Sequence, residues 1–165
     1  MLVGPMGAGK TTVGKQLANR LSYEFVDTDH YIEEKSGADI PWIFDVEGER
    51  GFRSRETAAL DDLSGIRSHV IATGGGVVVT PCNAAKLSAL GCVVYLKASV
   101  NQLYHRTAKD KRRPLLQVEN PRARIEELLQ QRDPLYTAVA DCILETDGRS
   151  SRWVVSEILN WLGES

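Results

Sequence analysis

Short apolar runs alternate with longer amphipathic stretches along the 165-residue chain. A short apolar run that ends in a polar or glycine residue is typical of a buried strand. Five runs have this form: Leu2-Val3, Phe25-Val26, Val70–Ala72, Cys92–Leu96 and Cys142–Leu144. Strands separated by helical patterns predict an α/β fold in which helices cover a parallel sheet.

The stretches between these runs contain helix signals. After the first run, Val13, Leu17 and Leu21 recur every four residues, which predicts a helix with one buried face. Capping residues, prolines and glycines delimit three more helices. These run from Thr80-Pro81 to Gly91, from Asn120-Pro121 to about Asp133-Pro134, and from Ser150 or Ser151 to Gly163.

Two connections are longer than a plain crossover between a strand and a helix. Residues 29–63 have a helical pattern, which is predicted to break at Gly37, Gly48 and Gly51. Residues 109–119 begin with a basic cluster that contains Lys109, Lys111, Arg112 and Arg113. Long insertions in compact domains are where substrate sites and lids are found. We therefore predict one domain over residues 1–165, with a substrate-binding insertion at about 29–63 and a lid at about 109–119.

Composition is that of an ordinary soluble globular protein, with 42% hydrophobic and 25% charged residues. The net charge of −2 predicts no general attraction to nucleic acid or to an anionic membrane. No apolar run has membrane-spanning length and no signal peptide is visible, so we expect a cytoplasmic protein. Three dispersed cysteines without metal-ligand spacing predict reduced thiols and no zinc site. A monomer is the default expectation.

Residues 4–11 match the pattern G-x-x-x-x-G-K-[ST] of a phosphate-binding loop, placed between the first predicted strand and helix. Its glycines allow the loop to wrap tightly, so that backbone N–H groups and the helix dipole act on a polyphosphate. Lys10 adds a positive charge for the β- and γ-phosphates, and the Thr11 hydroxyl is placed for Mg²⁺. The loop therefore predicts a nucleoside triphosphate ligand.

Two acidic residues, Asp27 and Asp29, follow the second predicted strand. Open α/β sheets bind ligands at the carboxyl ends of their strands. An acid there can hold Mg²⁺ through water, or accept a proton from a hydroxyl that attacks the γ-phosphate. The alternative is that Asp29 or Thr28 caps the next helix, which would account for only one of the two acids.

Gly74, Gly75 and Gly76 end the third predicted strand, where the acid of a standard Walker B motif is missing. Three glycines allow another group to approach the backbone closely, and their N–H groups can bind an anion. A flexible turn is the alternative, and glycine alone does not decide between the two.

Three arginines are candidates for anion binding. Arg113 lies in the basic cluster, from which a mobile cover would bring it onto a transferring phosphate. Arg53 and Arg132 can each hold a carboxylate with two parallel hydrogen bonds. Taken singly, Arg53 and Arg132 are better explained by a solvated surface position, which is the interpretation that we adopt for Arg55.

Taken together, these motifs resemble those of the shikimate kinase family over essentially the whole chain. The matching pieces are the Gly4–Lys10 loop, Asp27 with Asp29, Phe52-Arg53 with Glu56, Gly74–Gly76, Arg113–Leu116, and Arg132 followed by Pro134–Tyr136. Outside the loop each piece is weak, but their common order and spacing are specific.

The resemblance implies a nucleoside-monophosphate-kinase-like, three-layer P-loop fold. Its parallel sheet is expected to have five strands in the order 2-3-1-4-5, with helices on both faces. The implied activity is transfer of the ATP γ-phosphate to the 3-hydroxyl of shikimate, giving shikimate 3-phosphate for chorismate and aromatic amino acid biosynthesis. The implied cofactor is Mg²⁺, and the expected partners are the two small-molecule substrates, ATP and shikimate.

The resemblance also implies roles for individual residues. The expected catalytic residues are Lys10 and Arg113, which act on the transferred phosphate, and Asp29, which orients the shikimate hydroxyls or acts as base. The expected ATP-binding residues are Gly7, Ala8, Gly9, Lys10, Thr11, Thr12, Arg106, Arg113 and Arg149. The expected shikimate-binding residues are Asp29, Gly74, Gly75, Gly76, and the carboxylate clamp Arg53 and Arg132. For Mg²⁺, Thr11 is the expected direct ligand, and Asp27 is expected to hold the ion through water.

Three alternatives remain at this point. One is another small-molecule P-loop kinase, acting on gluconate or a nucleotide, against which the arginine pair and the three glycines argue. A second is a nucleotide-binding switch protein, since Asp62–Gly65 matches D-x-x-G. This match precedes the third strand and has no N-K-x-D after it, so we interpret it as chance. A third is a domain that binds ATP only for regulation, which Lys10, Asp29 and Arg113 disfavour.

The first strand is unusually short for its implied position. Only Met1, Leu2 and Val3 precede the loop, although the implied sheet order puts this strand at the centre. A central strand of three residues leaves its neighbours underpaired. We therefore expect the natural chain to have further residues upstream of Met1.

Overall fold

The structure, a computed structural model, describes residues 1–108 and 113–164. The strands in these ranges are β1 (Leu2–Val3), β2 (Glu24–Asp27), β3 (His69–Ala72), β4 (Val94–Lys97) and β5 (Cys142–Glu145). The α-helices are α1 (Lys10–Leu21), α2 (Thr28–Ser36), α3 (Ile40–Asp62), α4 (Asn83–Leu90), α5 (Val100–Thr107), α6 (Pro121–Val139) and α7 (Ser151–Leu162). Short 3-10 helices cover Val77–Val79 and Pro114–Leu116. No helix in the described ranges is long and apolar enough to cross a membrane.

The strands form one parallel sheet in the order β2-β3-β1-β4-β5, which confirms the predicted order. β1 is central, because Leu2 pairs with Ala72 of β3 on one side and with Val94 of β4 on the other. All carboxyl ends of parallel strands lie at the same edge of a sheet. The phosphate loop, Asp27 and Gly74–Gly76 therefore all leave the sheet at this edge.

Helices cover both faces of the sheet, as predicted. Side chains alternate along a strand, so Leu2 and Val3 of β1 belong to different apolar clusters. The cluster on one face includes Val13, Leu17, Val154 and Ile158 of α1 and α7. The cluster on the other face includes Leu60, Leu87 and Tyr136 of α3, α4 and α6. A third cluster, Ile32, Ile43, Phe52 and Ala59, joins α2 to α3 within the predicted insertion. The role of that insertion in binding stays a prediction.

α6 runs to Val139, so its predicted end near Asp133-Pro134 is wrong. Pro134 has no N–H and removes one helical hydrogen bond. The helix continues beyond it because Tyr136 is fully buried and its ring packs 4.9 Å from that of Tyr95 in β4. Tertiary packing thus outweighs the local cost of the proline. As a result, Arg132 and Tyr136 lie on one face of a single helix.

Glycines interrupt residues 29–63 at two of the three predicted places. Gly37 ends α2 with a φ of 68°, and Gly48 kinks α3 with a φ of 70°. The predicted break at Gly51 is wrong, because Gly51 is helical. A Cβ at this position would overlap the Glu47 side chain, so the glycine serves close packing beside the kink.

Two element starts also differ from the prediction. β4 begins at Val94 and not at Cys92, because the Val93 N–H donates to the side chain of Asp141 (2.8 Å) before the regular ladder begins. α4 begins at Asn83, after a turn at the predicted start. Both differences are local and leave the order of elements unchanged.

The predicted lid, residues 109–119, falls only in part on the described chain. Residues 109–112, which include Lys109, Lys111 and Arg112, lie outside the described residues. From Arg113 onward the chain enters the 3-10 helix Pro114–Leu116, of which Leu116 is buried. The lid therefore stays a prediction.

Candidate active site

The phosphate loop forms the turn between β1 and α1. Gly4 leaves β1 with a φ of 142°, and a Cβ on it would lie 2.6 Å from the Leu96 carbonyl oxygen, so this position requires glycine. Gly9 is the N-cap residue of α1 and provides no side-chain acceptor. The first N–H groups of α1 are therefore available to an anion, which the helix dipole also favours.

Lys10 is the first residue of α1 and is buried against the loop. Its ammonium donates hydrogen bonds to the carbonyl oxygens of Gly4 (2.7 Å) and Pro5 (2.8 Å). Burial lowers the pKa of Lys10 to about 8, and the nearby charge of Asp29 opposes this effect. The ammonium thus keeps its proton at neutral pH and supplies a fixed positive charge to the loop.

Three cavities follow one another along the carboxyl edge of the sheet. The loop cavity, of about 450 Å³, is lined by Lys10, Thr11 and Asp27. The glycine cavity, of about 90 Å³, is lined by Gly74–Gly76 and shares Met6, Asp29, Ile40, Gly75 and Arg113 with the loop cavity. The outer cavity, of about 320 Å³, shares Gly9 and Thr12 with the loop cavity. A long ligand would therefore fit the outer and loop cavities together. A small ligand would fit the glycine cavity.

Thr11 and Asp27 place two oxygen ligands side by side in the loop cavity. The Thr11 hydroxyl donates to Asp27 Oδ2 (2.7 Å), while Asp27 Oδ1 accepts from the backbone N–H groups of Asp29 (3.1 Å) and His30 (3.5 Å). The N-cap of α2 is therefore Asp27, and the alternative that Asp29 or Thr28 caps this helix is wrong. A hydroxyl and a carboxylate fit Mg²⁺, which keeps several waters and takes further ligands from phosphates.

Asp29 lies between the loop and glycine cavities and lines both. Its Oδ1 is buried and has no hydrogen-bond partner among the described residues. Burial raises the pKa of Asp29 to about 7, and the like charges of Glu56 and Asp27 add to this effect. A carboxyl group that titrates near neutral pH and lines both cavities suits the acceptance of a proton or hydrogen bond from a hydroxyl.

The three glycines after β3 allow charged side chains to pack against the backbone. A Cβ at Gly74 would lie 2.6 Å from Asp29 Oδ1 and 2.7 Å from Glu56 Oε1, and a Cβ at Gly76 would overlap the Arg53 guanidinium. The Gly74 N–H donates to the Thr28 hydroxyl (3.1 Å), which fixes the start of the segment. The side chains of the site thus pack directly against the backbone of this segment, and the alternative of a merely flexible turn does not hold.

Arg53 and Arg132 reach the glycine cavity from helices that are far apart in sequence. Arg53 forms ion pairs with Glu56 and with Glu49 (2.9 Å), and only 12% of its side chain is exposed. Arg132 is buried and donates to the Gly75 carbonyl oxygen (3.3 Å). A solvated surface position was the better explanation for each arginine taken singly. It is therefore wrong for Arg53 and Arg132. Two guanidinium groups in one small cavity, one buried and one largely buried, favour a small anionic ligand.

Arg55 differs from Arg53 as predicted. It pairs with Glu47 (2.6 Å), its side chain is 38% exposed, and it lines none of the three cavities described above. One helix therefore presents one arginine to the site and another to solvent.

The remaining predicted arginines lie around the loop. Arg113 lines both the loop and glycine cavities. Arg106 donates to the Gly7 carbonyl oxygen (3.2 Å), and it lines the outer cavity together with Arg149. The Arg149 guanidinium lies 4.7 Å from the centre of the Trp153 ring. The structure thus brings these residues together, while the contacts of each with a nucleotide stay predictions.

Sequence reasoning gave no role to Glu56 or Tyr136, although both belong to the quoted motifs. Burial raises the pKa of Glu56, and Arg53 opposes this effect with its charge. The Tyr136 hydroxyl donates to the Gly75 carbonyl oxygen. Spacing offered a signal for both, since Glu56 follows Arg53 by three residues and Tyr136 follows Arg132 by four, and such residues are neighbours on a helix. The signal was too general to assign a role.

The site therefore combines two kinds of recognition. On one side of Asp29, the loop N–H groups, Lys10 and Arg113 suit a polyphosphate. On the other side, Arg53 and Arg132 suit a small carboxylate. Asp29 lies where a hydroxyl of the small ligand would meet the terminal phosphate of the large one.

Comparison with known proteins agrees with this geometry. A family model described as shikimate kinase matches residues 6–163. Shikimate kinase of Acinetobacter baylyi is 58% identical over 158 residues, which cover 96% of this chain and 88% of that protein. A solved structure of shikimate kinase from Acinetobacter baumannii in complex with shikimate has a TM-score of 0.95 and 52% identity, covering 98% of this chain and 90% of that one.

A more distant structure shares the fold alone. Deoxyadenosine kinase from M. mycoides with bound dATP has a TM-score of 0.62 at 14% identity. The predicted P-loop kinase fold is therefore confirmed. The family match and the identities above go further than the fold, and the chain belongs to the shikimate kinase family.

Proposed function

We propose that this protein transfers the γ-phosphate of ATP to the 3-hydroxyl of shikimate, giving ADP and shikimate 3-phosphate. Membership of the shikimate kinase family supports this activity. The observation that carries it in this chain is the glycine cavity, in which the buried Arg132 and the largely buried Arg53 lie beside Asp29 and next to the phosphate loop. Shikimate combines a carboxylate with secondary hydroxyls, which matches this set of groups.

On the nucleotide side, the triphosphate would lie in the loop cavity and the base in the outer cavity. The N–H groups of the loop and of the start of α1 would cradle the β- and γ-phosphates. Lys10 would exchange its bonds to Gly4 and Pro5 for phosphate oxygens, and Arg113, which lines the same cavity, would reach the same phosphate. Arg106 and Arg149 would flank the base. Such charge neutralisation is the main demand of phosphoryl transfer.

Thr11 and Asp27 would hold Mg²⁺, the hydroxyl directly and the carboxylate through water. When bound with the nucleotide, Mg²⁺ supplies charge that stabilises the phosphate oxygens during transfer. The hydrogen bond between Thr11 and Asp27 supports this role, because it keeps two oxygen ligands together at the edge of the loop cavity.

On the acceptor side, Arg53 and Arg132 would hold the carboxylate and thereby fix the ring. The N–H groups of Gly75 and Gly76 would add donors at the same wall, whereas that of Gly74 is bonded to the Thr28 hydroxyl. Asp29 would then receive the 3-hydroxyl, because its side chain lies between the loop and glycine cavities and lines both. Fixing both substrates in this way places attacking and leaving groups in line, which is the main source of rate enhancement in such a reaction.

We further propose that the enzyme works as a monomer in the cytoplasm, with residues 109–119 as a lid. Every group assigned to the site comes from one chain, which supports a monomer. The ATP donor and the bacterial relatives support the cytoplasm. The described part of the lid supports closure, because Arg113 and Leu115 line the glycine cavity, where exclusion of water would prevent ATP hydrolysis.

ADP formation measured with different acceptors tests the activity directly. With ATP and Mg²⁺, we expect ADP release that depends on shikimate, and release near background with gluconate or with nucleoside monophosphates. The physical reason is the arginine pair, which requires a carboxylate at a fixed distance from the reacting hydroxyl. Preference for gluconate or a nucleotide would instead identify another kinase of this fold, and no acceptor-dependent release would contradict the kinase assignment.

Arg53→Lys compared with Arg55→Lys tests the carboxylate clamp. Lysine keeps a positive charge beside the buried Glu56 but loses the planar fork that binds two carboxylate oxygens. We expect Arg53→Lys to raise the KM for shikimate by about 10- to 100-fold, on the order of 1.4–3 kcal/mol, with the KM for ATP nearly unchanged. Arg55→Lys, on the same helix but at the surface, should leave both constants unchanged. Equal behaviour of the two variants would refute the clamp.

Asp29→Asn tests the acid–base role. The amide can still accept a hydrogen bond but cannot take a proton at neutral pH. If Asp29 acts as base, kcat should fall by about 100-fold or more, while the KM for ATP changes little. Steady-state kinetics with both substrates varied would measure this. Normal turnover by Asp29→Asn would show that the carboxylate only orients the hydroxyl.

The same substitution should stabilise the free protein in a pH-dependent way. The pKa of Asp29 is about 7 in the folded chain, well above that of an ordinary aspartate, so the folded state holds its proton more tightly. In the wild type, the contribution of Asp29 to the free energy of unfolding is therefore fully present below about pH 4 and is lost as the pH rises to about 7. We expect the Tm of Asp29→Asn to exceed that of wild type more at pH 8 than at pH 5. Asp45→Asn, at an exposed position, controls for the loss of one surface charge, and a gain independent of pH would contradict the prediction.

A further inference from the structure

Tyr136 is a buried polar residue at the site to which the proposed reaction gives no direct task. It lies on the same face of α6 as Arg132, one turn further on, and its side chain is fully buried. Its hydroxyl donates to the Gly75 carbonyl oxygen. A buried phenol hydroxyl requires a hydrogen-bond partner. Here the partner belongs to the Gly74–Gly76 segment, which lines the glycine cavity.

The Gly75 carbonyl oxygen accepts two bonds, from the Tyr136 hydroxyl and from Arg132 Nη1 (3.3 Å). The charge of Arg132 acts on the hydroxyl as well, because it opposes the effect of burial on the pKa of Tyr136. Tyrosine hydroxyl, guanidinium and carbonyl therefore form one cluster. An arginine has five N–H donors in a fixed fork, so bonds at one edge decide where the other edge points.

The hydrogen bonds to the Gly75 carbonyl oxygen also affect the backbone against which Arg53 packs. The peptide that carries this carbonyl leads directly into Gly76, against which the Arg53 guanidinium is packed without room for a Cβ. Three consecutive glycines have little conformational preference of their own. A bond that holds the middle one consequently helps to hold the surface on which Arg53 rests.

Burial raises the pKa of Tyr136 to about 12, so the phenol keeps its proton at every pH at which the enzyme would be assayed. It is therefore a permanent donor. Its ring is fixed from behind by Tyr95, whose ring centre lies 4.9 Å away and whose own hydroxyl donates to Asp133 (2.8 Å). These two buried tyrosines, whose rings pack at 33° to each other, thus differ in the partner of the hydroxyl, since only that of Tyr136 donates to the segment that lines the glycine cavity.

We propose that the Tyr136 hydroxyl is a positioning group for the carboxylate half of the acceptor site, holding the Gly75 carbonyl and the Arg132 guanidinium in the arrangement that receives the substrate carboxylate. This inference rests on the proposed function. The hydroxyl does not contact the reacting atoms, so it acts on acceptor binding and not on the chemical step.

Tyr136→Phe compared with Tyr95→Phe tests this proposal. Each substitution removes one hydroxyl and leaves the packing of the two rings in place, so both variants should show a similar fall in Tm. Tyr136→Phe should raise the KM for shikimate, and its Kd measured by calorimetry without ATP, by about tenfold, with kcat and the KM for ATP changed less than about threefold. Tyr95→Phe should leave all three kinetic constants near those of wild type.

Two further measurements separate positioning from a general loss of packing. Replacement of Tyr136 by 4-aminophenylalanine keeps an N–H donor at the same place on the ring and should restore most of the affinity for shikimate. In the double variant Arg132→Lys/Tyr136→Phe, the losses should be less than additive, since the two groups act on one carboxylate.

The proposal is overturned if Tyr136→Phe binds shikimate as wild type does, if Tyr95→Phe loses as much affinity, or if the loss falls on kcat or on the KM for ATP. Failure of the underlying function looks different, because wild type itself would then release no ADP in response to shikimate. If Tyr136→Phe does not fold, the 4-aminophenylalanine variant decides. Wild-type affinity for shikimate in this variant supports the proposal. A loss of affinity without a matching loss of Tm contradicts it.

Discussion

The end of β3 passes so close to the charged groups of the site that a single β-carbon at Gly74 would lie within 2.7 Å of two carboxylate oxygens, one from Asp29 and one from Glu56. The same holds at Gly76, where the space for a side chain is taken by the Arg53 guanidinium. The acceptor site therefore depends on three consecutive positions without side chains. Around them, groups from the start of α2, from α3 and from α6 come together in a cavity of about 90 Å³.

This crowding has an electrostatic cost. Asp29 Oδ1 and Glu56 Oε1 are buried without hydrogen-bond partners among the described residues, and a buried polar atom left unpaired costs on the order of 1–3 kcal/mol. Arg53 offsets the charge of Glu56 but donates to its other oxygen. Sites of this kind exchange stability for function.

Much of the fold followed from local patterns, because each pattern had its own physical cause. The phosphate loop was recognisable from its glycines and Lys10, and the sheet from apolar runs that end in polar residues. The strand order came from the family resemblance, since no local signal in β1 says which strands flank it. The end of α6 was misplaced because Pro134 is a strong local signal, while the packing of Tyr136 against Tyr95 depends on a residue some forty positions away.

Sequence named candidate residues for the site but not their arrangement. Taken singly, Arg53 and Arg132 were better explained by a surface position, because burial of an arginine depends on partners such as Glu56 and the Gly75 carbonyl that only the tertiary structure brings near. Likewise, capping of α2 by Asp27 was missed since three neighbouring residues could each have served. Backbone geometry, more than residue identity, assigns these roles.

The bonds from the Lys10 ammonium to the Gly4 and Pro5 carbonyl oxygens have a consequence for how a nucleotide would be received. They tie the ends of the loop together, so folding itself removes part of the conformational entropy of this glycine-rich segment. Binding would then require an exchange of hydrogen bonds at one side chain and not the ordering of a whole loop. Preorganisation of this kind favours rapid and reversible capture, which suits an enzyme that must release ADP after each turnover.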